Sequence, residues 1–250
     1  MYVQDLHTHT CFCDGKNTPE EMVQAAIKAG LFSIGFSGHS YTEFDDDFCM
    51  SKENTERYIA EVKRLQEKYA DSIEVLLGVE QDQFAGKVPE GYDYAIGSTH
   101  YVCVNGEYLS IDDTAEITME GCERLFGGDI YALCEKYFET EAEVIEKTGA
   151  DIIGHFDLVS KFNEKVPMFD PLHPRYVAAW RKAADALIRT GAAFEINTGA
   201  ISRGYKTEPY PSIDMINYIR AHGGKFILSS DSHSTETLCY DFGNYEKYLY

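Results

Sequence analysis

Residues 2–40 read YVQDLHTHTCFCDGKNTPEEMVQAAIKAGLFSIGFSGHS, and the repeating unit of the architecture is visible in them. The runs YVQDLHTH (2–9) and FSIGFSGHS (32–40) are strand-length and apolar, as buried parallel strands are. Between them, TPEEMVQAAIKAG (18–30) carries the marks of a helix. Thr18 is placed as N-cap, Pro19 at the first helical position, Glu21 where a capping box needs it, and Gly30 as the stop. Strand, helix, strand is a βαβ unit, and its repetition builds a parallel sheet.

The same alternation continues outward. Strand runs recur at 73–82, 94–102, 150–159, 192–200 and 225–233. Helical spacing appears at 54–70, through Tyr58, Val62, Leu65 and Tyr69, and again at 129–148, 174–190 and 212–222, the last three closed by Gly149, Gly191 and Gly223. Seven strand runs predict an α/β barrel of about seven repeats. The alternative is an open doubly wound sheet. Cys103 to Gly128 shows no clear period and reads as a long loop over the barrel mouth. A short helix is expected at 244–250. With no linker and no break in composition, residues 1–250 are expected to form a single domain.

The 250 residues hold 42 acids and 22 bases, a formal charge of −20. So acidic a surface repels phosphate backbones and anionic membranes, so neither nucleic acid nor membrane is an expected partner. No apolar run reaches a membrane span, and MYVQDLHTHT lacks the basic and apolar regions of a secretory signal. Seven cysteines without framework spacing read as reduced thiols of a cytoplasmic protein, although Cys11 and Cys13 lie near a histidine cluster.

That cluster is the strongest functional signal. Of eight histidines, only His173 and His222 fall outside the strand ends. His7 and His9 end the first strand run, His39 the second, Glu80 the third, His100 the fourth, His155 the fifth, and Asp231 with His233 the seventh, while Asp14 follows the first. In a parallel barrel this is the face where active sites are built. One histidine after a strand is commonly a satisfied polar residue, but HxH, DxH and isolated ligands on successive strands together point to metal. His7 and His9, at i and i+2, share one strand face and can grip one ion, with Thr8 turned away. Nine ligands suit two or three ions with a bridging carboxylate, and mixed imidazole and carboxylate favours zinc, manganese or iron. Such ions hold a hydroxide that is nucleophilic at neutral pH and clamp a phosphoryl group.

The motifs HTHT, SGHS, GVE, GSTHY, GHFDL and SDSH, in this order over about residues 3–240, resemble the polymerase and histidinol phosphatase (PHP) superfamily. DLHTHTCFCDG, GGDIYALCEKYFE, GHFDLVSKFN and EINTGAISRG resemble its histidinol-phosphate phosphatase branch. The resemblance implies a distorted (β/α)7 barrel with a trinuclear metal centre. His7, His9, Glu80 and Asp231 would bind one ion. Glu80 would bridge to a second held by His100 and His155, and Asp14, His39 and His233 would hold a third. Asp14 stands where some members have histidine. The implied substrate is a small phosphate ester, L-histidinol phosphate. A metal-bridging hydroxide would attack phosphorus in line, and Asp231 would shuttle protons.

Arg203, in the segment that carries a substrate-contacting arginine in this family, is favoured as phosphate ligand for its bidentate fork, with Lys161 second and Ser40 a further contact. Glu195 and Asn197 share a strand face and either bind the substrate amine or line the barrel. Glu195 and the acidic loop 43–47 are the candidates to meet the imidazole or amine. Tyr41 and Tyr101 could flank an imidazole, and Trp180 reads as packing. Two other readings stand beside this one. The first is a phosphatase or phosphodiesterase of the superfamily acting on a nucleotide, sugar phosphate or phosphotyrosine. The second is a non-catalytic metal-dependent binding module.

Overall fold

A computed structural model describes residues 3–45 and 47–249. Tyr2 of the first strand run, Asp46 of the acidic loop and the ends of the 1–250 span, including Tyr250 of the terminal helix, lie outside the described residues.

Nine strands and nine α-helices follow one another along the described chain. The strands are β1 (Gln4–Asp5), β2 (Ser33–Phe36), β3 (Glu74–Asp82), β4 (Tyr94–Ser98), β5 (Tyr101–Val104), β6 (Glu107–Ser110), β7 (Ile152–Ile153), β8 (Ala193–Asn197) and β9 (Lys225–Ser229). The helices are α1 (Pro19–Ala29), α2 (Lys52–Tyr69), α3 (Ala115–Phe126), α4 (Ile130–Glu141), α5 (Val144–Thr148), α6 (Pro174–Ile188), α7 (Gly199–Ser202), α8 (Ile213–Ala221) and α9 (Phe242–Tyr245). Seven strands pair in parallel in the order β1-β2-β3-β4-β7-β8-β9. The two edges meet through a parallel bridge between Thr8 and Ser232, where His9 N donates to Ser232 O and Ser232 N to His7 O. The sheet therefore closes into the expected distorted seven-stranded barrel, and the open doubly wound alternative is excluded.

Local chemistry explains the elements. Thr18 accepts from Glu21 N while the Glu21 carboxylate accepts from Thr18 N, a complete capping box, and Gly30 ends α1 in the left-handed region at φ 79°. The apolar faces of α1 and α2 bury Met22, Val23, Ala26, Tyr58, Val62 and Leu65 against Ile34, Phe36, Val75 and Leu77 of the sheet. A larger cluster packs α4, α6 and α8 over β7 and β8, and Trp180 is buried in it.

Four expectations change. Cys103–Gly128 is not a loop. Asn105 and Gly106, both at positive φ, turn an antiparallel β5–β6 hairpin, and Thr114 then caps α3, which Gly127 ends. Gly121 lets α3 sit directly on the hairpin, since a Cβ there would lie 2.2 Å from Leu109. The run at 94–102 divides, because β4 stops at Ser98 and Tyr101 opens the hairpin. The helix at 129–148 breaks at Ala142–Glu143 into α4 and α5. Strands are also shorter than the apolar runs, so of the nine ligand candidates only Glu80 lies within a strand. The others stand past strand ends, where the chain leaves the sheet, Asp14 well into the loop after β1.

Candidate metal centre

The nine ligand candidates converge at the carboxyl end of the barrel. Backbone bridges place them: His39 pairs with Glu80 across β2 and β3, and Thr8 with Ser232 across the closure. Thr8 Oγ1 turns away to donate to Gly35 O at 2.8 Å, which leaves His7 and His9 on the inner face with ring centres 5.1 Å apart. Asp231 sits at φ 51°, so the chain has already turned there. Its carboxylate faces His7 and His9, while His233 Nε2 lies 3.0 Å from Asp14 Oδ2.

Glu80 is the centre. It is 1% exposed, and its two oxygens divide five imidazoles between them. Oε1 has His155 Nε2 at 3.0 Å and His100 Nε2 at 3.2 Å. Oε2 has His39 Nδ1 at 2.9 Å, His7 Nε2 at 3.2 Å and His9 Nε2 at 3.5 Å. Ser98 Oγ donates to Oε1 at 2.6 Å.

Electrostatics follow from this packing. Burial lowers the proton affinity of His7, but the carboxylates of Glu195, Glu80 and Asp231 outweigh it and hold the ring well above its ordinary pKa. His39 is raised in the same way, with Glu80 and Asp14 opposing burial, and His100 is raised to about 10. His9 is pushed down to about 3 by burial and by its neighbours His233 and His39. Glu80 and Asp231 stay ionised despite burial, Glu80 held by its imidazoles and Asp231 by Arg203 and His7. These buried carboxylates demand positive charge close by.

A metal fits that demand. His7 Nε2, His9 Nε2, Glu80 Oε2 and Asp14 Oδ1 are buried and make no hydrogen bond, although each lies close to another potential ligand atom. Three groups bring ligand atoms within 4.8 Å of one another: His9, Asp14, His39 and His233; His7, His9 and Glu80; and His39, Glu80 and His100. His9 and His39 thus each belong to two groups, a tighter sharing than the three-way division implied by the resemblance. Cys13 Sγ lies 3.6 Å from His9 Nδ1, Cys11 is exposed, and all seven cysteines are free.

Asp82, which no motif marks, and Glu195 orient these ligands. Asp82 Oδ2 meets His100 Nδ1 at 3.1 Å and accepts from His100 N at 3.2 Å. Its signal was its place two residues beyond Glu80 on β3. Glu195 Oε1 meets His7 Nδ1 at 2.7 Å, and its Oε2 accepts from His155 N at 3.0 Å. Carboxylates in this position fix the tautomer and direction of a ligating ring. Neither Glu195 nor Asn197 lines the pocket over the cluster. Both are buried behind the ligands, and Asn197 is spent on Glu195 and on Gly199 N. Tyr101 turns from the imidazoles to donate to Asp45 at 2.7 Å, and Tyr41 faces Lys52.

A pocket of about 290 Å³ opens over the cluster and is lined by Arg203, Lys161 and Ser40 as well as by ligand candidates. Arg203 donates from Nη1 to Asp231 O and from Nη2 to Asp231 Oδ2, each at 2.8 Å. Lys161 Nζ donates to Asp112 O at 2.6 Å, and Ser40 Oγ accepts from Asp82 N at 3.3 Å. A larger groove between α4 and α6, about 700 Å³, touches none of the nine ligand candidates. His173 and His222 lie elsewhere, His173 as the N-cap of α6 and His222 at the end of α8.

The family model for the PHP domain matches residues 5–199. The chain belongs to the PHP domain family. Among its relatives is a Deinococcus radiodurans protein named "Probable histidinol-phosphatase", 32% identical over 255 residues that cover 96% of this chain and 90% of that one. The Bacillus subtilis histidinol-phosphatase is 26% identical, with 97% of each chain covered. Solved structures share the PHP barrel. HisK of Listeria monocytogenes superposes with a TM-score of 0.84 at 22% identity, covering 97% of this chain and all of that one. The histidinol phosphate phosphatase of Lactococcus lactis, solved with zinc, L-histidinol and phosphate, gives 0.68 at 20% identity over 98% and 92%.

Proposed function

We propose that this PHP chain is a metal-dependent phosphomonoesterase that hydrolyses L-histidinol phosphate to L-histidinol and phosphate, with residues 1–250 acting as one catalytic domain in the cytoplasm. The observation that carries the metal chemistry is Glu80, a buried carboxylate whose two oxygens lie within 3.5 Å of five imidazoles. The relatives' shared activity supports the choice of substrate.

Two or three ions of zinc, manganese or iron would be held by His7, His9, Glu80 and Asp231, by Glu80, His100 and His155, and by Asp14, His39 and His233. When bound, such ions supply Lewis acidity, which makes water a nucleophile at neutral pH and draws charge from the phosphoryl oxygens. The protein's own groups do the rest. Asp82 and Glu195 fix the rings of His100 and His7. Arg203 and Lys161 face the pocket with positive charge and receive the phosphate, with Ser40 beside them. Asp231, held ionised by Arg203, would accept a proton from water and pass it to the leaving alkoxide.

The test is phosphate release by metal-reconstituted protein from L-histidinol phosphate, ranked against nucleotide, sugar and aryl phosphates. A kcat/KM preference of about three decades, roughly 4 kcal/mol of transition-state discrimination, supports the substrate assignment. A flat profile removes it and leaves the metal phosphatase. Chelation abolishes release and zinc or manganese restores it; activity that survives full demetallation removes the metal chemistry too.

A further inference from the structure

The two cations that would receive phosphate stand on different loops. Lys161 follows β7, and Arg203 follows α7. A seam joins these loops beneath the pocket, and Lys206 is its centre. The Lys206 side chain is 4% exposed, and it does not line the pocket over the ligand cluster. Its Nζ donates to Ser160 Oγ at 2.7 Å and to Asp157 Oδ2 at 3.3 Å, and lies 4.5 Å from the centre of the Tyr210 ring. Ser160 Oγ donates to the same Asp157 oxygen at 3.0 Å. Thr207 N donates to both oxygens of Glu164, at 2.9 and 3.1 Å, and Phe162 meets Tyr205 edge to face. Lys161 itself rests with Nζ 5.2 Å from the centre of the Tyr205 ring, so the cation of one loop leans on the aromatic ring of the other.

The sequence places these contacts beside the working residues. Ser160 directly precedes Lys161, Asp157 lies two residues beyond His155, and Lys206 lies three beyond Arg203. A buried ion pair contributes little net stability over an apolar pair of similar size, and its best-attested use is to fix one arrangement of the groups around it. Here the arrangement so fixed is the separation of two cations facing a single pocket. We infer that Lys206 is a positioning residue, whose buried contacts with Asp157 and Ser160 hold Lys161 and Arg203 at the spacing a phosphate requires. This rests on the reading that those two side chains receive the phosphate.

Lys206→Met in the full-length, zinc-loaded protein is the direct test. KM for L-histidinol phosphate and the inhibition constant of inorganic phosphate rise together by about tenfold, while kcat stays within about threefold and zinc content is unchanged, because a shifted binding group weakens phosphate capture first. Lys206→Arg recovers most of the loss. Asp157→Asn combined with Lys206→Met leaves no unpaired buried charge, and it keeps the raised KM in a folded protein. In an Arg203→Ala background, Lys206→Met adds little. Glu164→Gln, on the outer part of the seam, raises both constants by about twofold to threefold on the same reasoning. It keeps the test open if the buried variants fail to fold. Normal constants in the folded Lys206 variants, or in Glu164→Gln if those do not fold, overturn the inference, as does a loss confined to kcat. Lys161→Ala and Arg203→Ala separate the two ideas: if both leave KM and phosphate inhibition unchanged, the phosphate reading itself fails.

Discussion

The two ends of the barrel interior are filled by opposite chemistry. Toward the strand starts, Leu6, Tyr94, Ile96 and Ile152 form a buried apolar plug. The Tyr94 ring occupies space left by Gly35 and Gly78, and its hydroxyl donates to Leu6 O. Toward the strand ends, the same interior holds five imidazoles around one carboxylate. The plug gains free energy from burial and shape, and its one polar side-chain atom, the Tyr94 hydroxyl, is hydrogen-bonded. The cluster buries charge and leaves ligand atoms without hydrogen bonds, a destabilising arrangement unless cations enter. One end therefore carries stability and the other carries chemistry, and substitutions at the two ends differ in kind.

The largest expected effect breaks the cluster. Glu80→Gln keeps the shape but removes the charge shared by five rings, and kcat/KM falls by about a hundred- to a thousandfold, the scale set by losing a single electrostatic stabiliser. Elemental analysis alongside kinetics checks this, and full metal content with normal turnover would disprove the bridging role. Next comes the plug. A Cβ on Gly78 would lie 2.2 Å from the Tyr94 ring. Gly78→Ala destabilises by about 1–3 kcal/mol through overpacking. Denaturant unfolding measures that loss, while kcat/KM per folded molecule is unchanged; a selective loss of activity would erase the contrast between the ends.

Glu195→Gln sharpens the comparison from behind the ligands. Loss of the charged partner of His7 lowers metal affinity by about 10- to 100-fold, read by competition with a chelator. Unaltered affinity would place Glu195 among barrel-lining residues only. The smallest effect concerns Glu141, which ends α4 in the helix layer. Burial, reinforced by Asp82 and Asp157, raises its pKa to about 8. The native state thus keeps a proton that the unfolded chain releases near pH 4.5. The stability this group contributes is complete below pH 4.5 and is lost as pH rises through about 8. Glu141→Gln should therefore gain on the order of 1–3 kcal/mol at pH 8.5 relative to pH 5, read from urea midpoints at both values. Parallel pH profiles for variant and parent would show that Glu141 ionises freely.

Much of this was legible along the chain. Period and caps placed α1, α2 and α6, and the apolar runs gave the seven parallel strands. The i, i+2 spacing of His7 and His9 put both rings on one face, because side chains alternate along extended backbone, and the Thr8–Ser232 bridge keeps the chain extended past the end of β1. The hairpin at 101–110 carried its own signal, Asn105–Gly106 between apolar runs, which the polar composition of the segment obscured. The split of 129–148 had no comparable mark, since neither Ala142 nor Glu143 breaks a helix by itself.

Which side chains reach the carboxyl end of the barrel follows from local periodicity and from where each apolar run stops. How they divide the work depends on contacts between distant parts of the chain. Read along the chain, Asp82 falls in no motif, Glu195 and Asn197 either bind the substrate amine or line the barrel, and Lys206 falls in no motif either. Their partners, His100, His7, Gly199 and Asp157, lie 18, 188, 2 and 49 residues away, and for all but Gly199 it is the pairing and packing of separate strands that brings them together. Periodicity is local, whereas burial and pairing are set by contacts that exist only once the chain has closed on itself.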